Sequence, residues 1–550
     1  MKLPVILCLS LLLAVNLNGQ RSRSQTQLRT LDSLTVKDVP AGAPGIATAI
    51  IQNGQVIYEH YAGYADLSDS TLIDSTTRFN IASNGKQFTA LAVNLLVQDG
   101  LLSLNDDIRQ YLPGLFPSIQ DTISIRHLLT HTSGIRDVYD LWSLQGLTWW
   151  EHNFGNAQAY QVLNQQQDLN FAPGEDYLYS NSNYILLALI VEAVSGKTFR
   201  AYTDEMFVQL DMPHTSFETD HQDIAPPIAR SYFNFGSWTT YDWIWDVVGD
   251  GNLYTTLPDQ IAWEKRLQAT SSGDTLYEAL TRSQQQVPGS DVPYGYGLEF
   301  GTYKGVPYRF HEGATGAAKA TFVRFTAPNL SFLTLTNTGK AVTASQTRQL
   351  VDVLLELPAQ AADLVTEPRA VGEYVSEEDI LGTYLTPSNY SFELLKDDNG
   401  VLQLNRIGRG YVELEREADN IFHQKYDPAF KQEFTVNDMG EMVVTAYYTT
   451  HAPYSLTRAN VDWADYDFTL LEGVYLNRET GVTFNIEHEA DKRYRVTRSG
   501  SQASTGQLVA PHKLLVDNYV IEAAEPTVKP MSIRVSYERV RDLEFVRVAK

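Results

Sequence analysis

The chain changes its hydrophobic period once, near residue 357, and that change limits what it can fold into. Before it, apolar residues recur at three- and four-residue spacing between short alternating runs. After it, helical spacing all but disappears and short alternating runs continue toward the C-terminus. At 550 residues the chain is also too long for one compact core. The reading is an α+β domain over residues 31–357, a linker rich in Ala, Glu and Pro at 358–378, and an all-β remainder of the sandwich or barrel class.

Local signals fill in both halves. Asn53-Gly54 between the apolar runs 46–51 and 56–61 predicts a hairpin. Helices are expected at 89–102, at 122–131, at 183–194 with Gly196 as C-cap, and from Thr256 to 267, where Thr256 and Asp259 form a capping box with Pro258 in the first turn. Strands at 321–325 and 331–336 and an amphipathic segment at 346–357 end the region, so its sheet draws strands from both ends of the domain. Beyond 379, strands are expected at 390–395, 401–404, 442–448, 482–486, 514–516, 532–537 and 543–548. Ile380-Leu381-Gly382-Thr383-Tyr384 is echoed by Leu471-Glu472-Gly473-Val474-Tyr475, which divides this half into two related barrel-like modules, 379–460 and 467–550.

Lys2, the apolar run 3–15 and the small and polar residues 16–20 read as an export signal ending near Gly19, which places the mature protein in the periplasm or outside the cell. The run is too short to span a bilayer, and no other stretch qualifies as a membrane span. The single cysteine, Cys8, lies inside this segment, too early and after too large a residue for a lipoprotein signal. The rest of the chain therefore has neither a disulfide nor a cysteine nucleophile. A formal charge of −24 argues against a nucleic-acid partner, which needs a basic face. Neither a zinc-type ligand spacing nor a phosphate-binding glycine loop is present, so no metal and no cofactor are expected.

Three short motifs could carry chemistry. Ser83-Asn84-Gly85-Lys86 is the chain's one Ser-x-x-Lys, and residues three apart share a helix face, so the lysine can reach the hydroxyl. A serine needs a base to attack a carbonyl, and a lysine serves only where its surroundings favour the neutral amine. A helix N-terminus at Ser83 would add partial positive charge for a developing oxyanion. Tyr179-Ser180-Asn181 offers a phenol for proton transfer, as phenolate base or as donor, and an amide to orient a carbonyl. Tyr-x-Asn also occurs at Tyr232 and Tyr475, and the motif alone does not choose among them. His311-Glu312-Gly313-Ala314 ends an expected strand; in a regular strand His311 and Gly313 face one way and Glu312 the other, and a glycine there leaves room for substrate backbone. Taken singly, each motif also fits a helix cap, a core tyrosine or a structural histidine.

Together, in this order, the motifs resemble the penicillin-recognising serine hydrolases: class C β-lactamases, D-aminopeptidases, D,D-carboxypeptidases and related esterases. The resemblance covers roughly 31–357 and includes His127-Leu128-Leu129-Thr130-His131-Thr132-Ser133-Gly134 and Gly249-Asp250-Gly251-Asn252-Leu253. It implies a β-lactamase/transpeptidase-like fold, an antiparallel sheet flanked by helices. It implies Ser83 as nucleophile, Lys86 as base and Tyr179 as proton relay. Asn181 would position the acyl group, His311 and Gly313 would line the site, and the N–H groups of Ser83 and Ala314 would hold the oxyanion. His131 would be structural.

Many relatives have a lysine where this chain has His311, and a mostly neutral histidine offers no fixed charge for a substrate carboxylate. The resemblance therefore points to D-aminopeptidase or esterase chemistry on a small-molecule or short-peptide substrate ahead of true β-lactamase or D,D-carboxypeptidase activity. D-aminopeptidases of this kind carry two small barrels, one of whose loops can reach the active-site mouth. A relative that binds ligand without turnover is the competing reading. Trp149-Trp150 fits either a cleft wall or packing, and the sequence leaves the oligomeric state open.

Overall fold

The computed structural model describes residues 25–549 except 270–275, 291, 342, 356–366, 369–370, 387–390, 407–409, 448–452 and 524–527. The expected signal segment and much of the expected linker lie outside the described residues.

A seven-stranded antiparallel sheet centres the first half, in the order Tyr294–Gly295, Leu298–Tyr303, Val306–Thr315, Ala318–Phe325, Leu330–Thr336, Ile46–Gln52, Gln55–Ala62. N-terminal strands thus pair with late ones, Ile46 opposite Thr336, as the patterning predicts. Asn53 and Gly54 both take positive φ, 51° and 74°, the backbone a two-residue hairpin needs, and pair Gln52 with Gln55. Alternate strand residues serve two cores. Ile50, Val323, Phe325 and Phe332 pack under the helices Gln25–Val36 and Thr343–Leu354. Ala49, Ala320, Phe322 and Leu333 face the larger helical layer, where Phe88, Leu91, Tyr184 and Leu187 are fully buried.

Helix ends follow local capping rather than the apolar period. The helix expected at 89–102 is Lys86–Gln98, entered through a 3-10 turn, Ala82–Gly85. The one expected at 122–131 shrinks to Ile125–Leu129, because the Ser124 hydroxyl accepts the His127 N–H at 3.3 Å and fixes the start there. The one expected from 183 begins at Asn181 and ends at Gly196, left-handed at φ 68°. At Thr256 half of the capping box forms. The Thr256 hydroxyl accepts the Asp259 N–H at 3.3 Å, but the Asp259 carboxylate turns to the N–H of His214 and the hydroxyl of Thr215, both at 2.7 Å.

The C-terminal half is two closed eight-stranded antiparallel barrels, the first between Gly382–Leu385 and Tyr454–Arg458, the second between Gly473–Leu476 and Val540–Val548. Strands such as Gly410–Ala418 and Arg493–Arg498 are not announced by the apolar pattern, since charged residues fill their outward positions. The sequence echo has a structural meaning. Tyr384 donates its hydroxyl to the Ile380 carbonyl at 2.8 Å, and Tyr475 donates to the Leu471 carbonyl at 3.1 Å. Each pair pins the first strand of its barrel. The second barrel also takes up two side chains from the N-terminal α+β half: Leu141 and Leu144, from the helix Val138–Leu144, lie in one apolar cluster with Leu508, Ile521, Leu543 and Phe545.

Candidate active site

The turn Ala82–Gly85 is buried except at Ser83. Ala82, just before the serine, takes φ 48°, a strained setting for a residue with a Cβ. The strand Val306–Thr315 clamps the turn from outside: a Cβ on Gly313 would lie 2.2 Å from the Ile81 carbonyl oxygen. This corrects the expectation that glycine makes room there for substrate. It makes room for the turn that carries Ser83.

Lys86 is fully buried, and its Nζ has three partners: Ser83 Oγ at 3.1 Å, Asn181 Oδ1 at 2.8 Å and the Asp250 carbonyl at 2.6 Å. Burial pushes its pKa down to about 8, against Asp250 and Asp137, which hold the charge, and with help from Arg539. The arrangement suits the neutral amine. An NH₂ group has two protons and one lone pair; two carbonyl oxygens take the protons, and the lone pair is left for the Ser83 hydroxyl.

Tyr179 leads into the Asn181–Ser195 helix and Asn181 opens it, so the second motif sits against the first. The Tyr179 hydroxyl bonds to Ser83, and Lys86 Nζ lies 5.0 Å from the ring centroid. Burial raises the phenol's pKa well above its usual value, so Tyr179 is a proton-bearing phenol and the phenolate alternative is set aside. Of the other Tyr-x-Asn copies, Tyr232 binds Asp66 and Tyr475 belongs to the second barrel.

His311 is buried and Glu312 exposed, as strand alternation predicts. His311 Nδ1 lies 2.6 Å from the Glu312 carbonyl, which can only accept, so Nδ1 carries the proton and Nε2 accepts from the Tyr294 hydroxyl at 3.0 Å. Burial, then the Lys86 charge, pulls its pKa down to about 3, so it stays neutral and offers no cation to a substrate carboxylate. Beyond Phe310 the strand has left its partner Leu298–Tyr303, and Ala314 lies on this stretch, lining the cleft. His131 is fully buried; its Nδ1 accepts the Ser180 N–H at 3.2 Å and its ring packs on Tyr179 at 4.3 Å. It supports the second motif from below.

A cleft of about 350 Å³ opens over Ser83, Tyr179, Asn181, His311 and Ala314. The sequence reading missed four of its other lining residues: Tyr139, Trp243, Asp250 and Arg539. Asp250 lay in view, inside Gly249-Asp250-Gly251-Asn252-Leu253. Its carboxyl is buried, with Oδ1 lacking a partner, and burial raises its pKa to about 6. Arg539 gave no local signal, since it comes from the second barrel. Trp149 packs on Trp243 with ring centroids 5.2 Å apart and so braces the cleft wall that Trp243 supplies, while Trp150 is 44 % exposed. Elsewhere Asp220, His221 and Asp246 come together, a grouping no sequence spacing announced. The Asp246 carboxylate there accepts from the His221 N–H at 2.7 Å and Asn153 Nδ2 at 2.9 Å.

A sheet clamped on a Ser-x-x-Lys turn, with a Tyr-x-Asn helix start closing over it, defines the β-lactamase/transpeptidase-like class. The sequence profile of the Beta-lactamase family matches residues 33–355, and the chain belongs to that family of hydrolases. Protein flp of Staphylococcus aureus (strain MRSA252) is 33% identical over 227 residues, 38% of this chain and 44% of that protein. The D-aminopeptidase of Gluconobacter oxydans (strain 621H) is 27% identical over 350 residues, 63% of this chain and 65% of that one. The chain thus spans less than two thirds of each of these relatives. Among solved structures, the octameric penicillin-binding protein homologue from Pyrococcus abyssi superposes with a TM-score of 0.56 at 22% identity, over 78% of this chain and 100% of that one. The D-amino acid amidase of Ochrobactrum anthropi SV3 with D-phenylalanine does so with 0.51 at 19% identity, over 60% of this chain and 99% of that one. At these identities the structures speak for the fold.

Proposed function

We propose that the protein is an exported serine hydrolase that cleaves small amides, short peptides or esters through an acyl-enzyme on Ser83, in the manner of the D-aminopeptidases and esterases. One observation carries the reading: a fully buried Lys86 Nζ, its two N–H directions taken by Asn181 and Asp250, sits 3.1 Å from the hydroxyl of the one open residue of its turn. Ser83 Oγ forms a bond to the substrate carbonyl carbon as Lys86 takes its proton. The oxyanion is held by the N–H groups of Ser83 and Ala314. The carbonyl–nitrogen or carbonyl–oxygen bond then breaks, the leaving atom takes the Tyr179 proton, and the proton that Lys86 took from Ser83 passes to Tyr179, restoring both groups. A water repeats the sequence in reverse and returns the proton to Ser83. The 27% identity to a D-aminopeptidase supports peptide or amide substrates, and the neutral His311 supports ones without an obligatory carboxylate.

Turnover of a panel tests this: a short-chain aryl ester, a D-alanyl amide, an L-alanyl amide and a penicillin. Ser83-dependent release of the ester and amide products supports the reading, and equal turnover by Ser83→Ala removes it. Export rests on residues 1–19 alone and is checked by whether the mature N-terminus, read by mass spectrometry from a native host, begins near residue 20.

A further inference from the structure

A chain of polar contacts runs from the nucleophile out of the hydrolase half. Ser83 Oγ meets Lys86 Nζ, and Lys86 Nζ donates to Asn181 Oδ1. The Asn181 N–H donates to Asp137 Oδ2 at 2.6 Å, and Asp137 Oδ2 pairs with Arg539 Nη1 at 3.1 Å. Arg539 then closes on Asp140: Nε and the backbone N–H on Oδ2, both at 2.9 Å, and Nη2 on Oδ1 at 2.8 Å. Arg539 sits in the turn between the last two strands of the second barrel, Ser532–Tyr537 and Val540–Val548.

We propose that Arg539 is a positioning residue of the catalytic centre, supplied by the second barrel: by neutralising Asp137 it fixes the Asp137–Asn181–Lys86 chain that aims the lysine at Ser83. The inference rests on the reading of Ser83 as nucleophile and Lys86 as its base.

Docking alone does not account for this side chain. The barrel is already held by Leu141 and Leu144 in its core, by Gln145 Nε2 donating to the Thr480 carbonyl at 3.1 Å, and by the Arg541 N–H donating to Asn170 Oδ1 at 2.7 Å. Arg539 reaches further, into the cleft wall. Its partner Asp137 has no exposure at all, and a buried carboxylate without a counter-ion is costly. Asp137 also caps the Val138–Leu144 helix, accepting the Tyr139 N–H at 2.9 Å, so it cannot turn away to another partner without undoing that helix start.

The charges facing Lys86 decide the consequence. They are Asp137, Asp250 and Arg539, with the phenols of Tyr179 and Tyr184 and the buried, neutral His131 and His311 around them. Without the guanidinium, Lys86 is the one cation left among those groups opposite two carboxylates. It keeps its proton to higher pH and is a base less often at neutral pH.

The test uses full-length protein and hydrolysis of p-nitrophenyl acetate, followed as kcat/KM against pH. Arg539→Met is expected to lose about 100-fold at pH 7, with its acid limb displaced upward by about one unit, so that the deficit narrows in alkaline buffer. Arg539→Lys keeps the charge and is expected to restore the limb while recovering part of the rate. Arg541→Met removes the neighbouring ion pair to Asp176, 2.7 Å, without touching the chain, and is expected to stay within about twofold of wild type. If Arg539→Met does not fold, Asp140→Asn loosens the guanidinium but leaves its charge; about a tenfold loss with the limb in place is expected. A wild-type limb and rate in the Arg539→Met protein, a pH-independent deficit shared by Arg541→Met, or full activity in Asp140→Asn overturns the proposal. Ser83→Ala with undiminished turnover overturns the underlying reading instead, so the two failures are distinct.

Discussion

The two barrels are built alike and placed differently. Each opens with the same Gly-x-Tyr corner and closes its first strand on its eighth. The first barrel's core consists of its own residues between Val375 and Leu456, and its Glu393 meets the second barrel, accepting from Gln507 Nε2 at 2.7 Å. The second barrel's core includes Leu141 and Leu144 of the hydrolase half, and its last turn puts Arg539 into the cleft. One repeat is a self-contained module; the other shares a core with the helix Val138–Leu144 of the first half. A repeated architecture therefore says little about a repeated role, and what a module does is read from the side chains at its edges.

Removing the chemistry sets the scale for any barrel effect. Ser83→Ala is expected to lower kcat for a short-chain aryl ester by about 10⁴-fold or more, measured on protein whose circular dichroism matches wild type. Effects of both barrels must be judged against that floor.

Matched core truncations break the comparison most directly. Phe434→Ala in the first barrel and Phe545→Ala in the second each remove a buried ring at a cost of about 3–5 kcal/mol to that barrel. Thermal unfolding should fall in both. Only Phe545→Ala should lose activity well below its own melting temperature, since only that barrel shares a core with the Val138–Leu144 helix. Equal activity losses would show that the first barrel supports the site as well.

A smaller and directional effect concerns pH. With Lys86 at about 8, kcat/KM should rise about tenfold per unit up to that region and then level. Asp250 holds the lysine's proton on, so Asp250→Asn should move the acid limb downward by about one unit, opposite in sign to the loss of Arg539. A limb that moves upward in Asp250→Asn would show that another group sets it. The smallest effect belongs to the contact between the barrels: Glu393→Ala should cost about 1 kcal/mol or less and leave kcat unchanged, read by thermal unfolding and ester turnover.

How much of this was legible in the sequence follows the range of each interaction. Ser83 and Lys86 are three residues apart on one helical segment, and Tyr179 and Asn181 bracket a helix start, so local spacing exposed them. The alternation of His311, Glu312 and Gly313 was equally local. Helix boundaries were less legible, because Ser124 and the turn at Ala82–Gly85 decide them through single hydrogen bonds and strain that an apolar period does not register. For Gly313 the sequence supplies the right steric reason, a close approach, but not the neighbour, which only the packing of the strand on Ile81 reveals. Arg539 was illegible. Nothing in its turn differs from other charged barrel turns, and its partners Asp137 and Asp140 lie about 400 positions away in the chain.

The most direct test of the central claim is intact-protein mass spectrometry after brief mixing with an aryl ester, a D-alanyl amide or a penicillin, wild type beside Ser83→Ala. The account predicts a mass increase equal to the acyl group in the wild type, mapped by peptide digestion to the segment holding Ser83, and none in the variant. The same adduct forming on Ser83→Ala, or product released at an undiminished rate without Ser83, would contradict it.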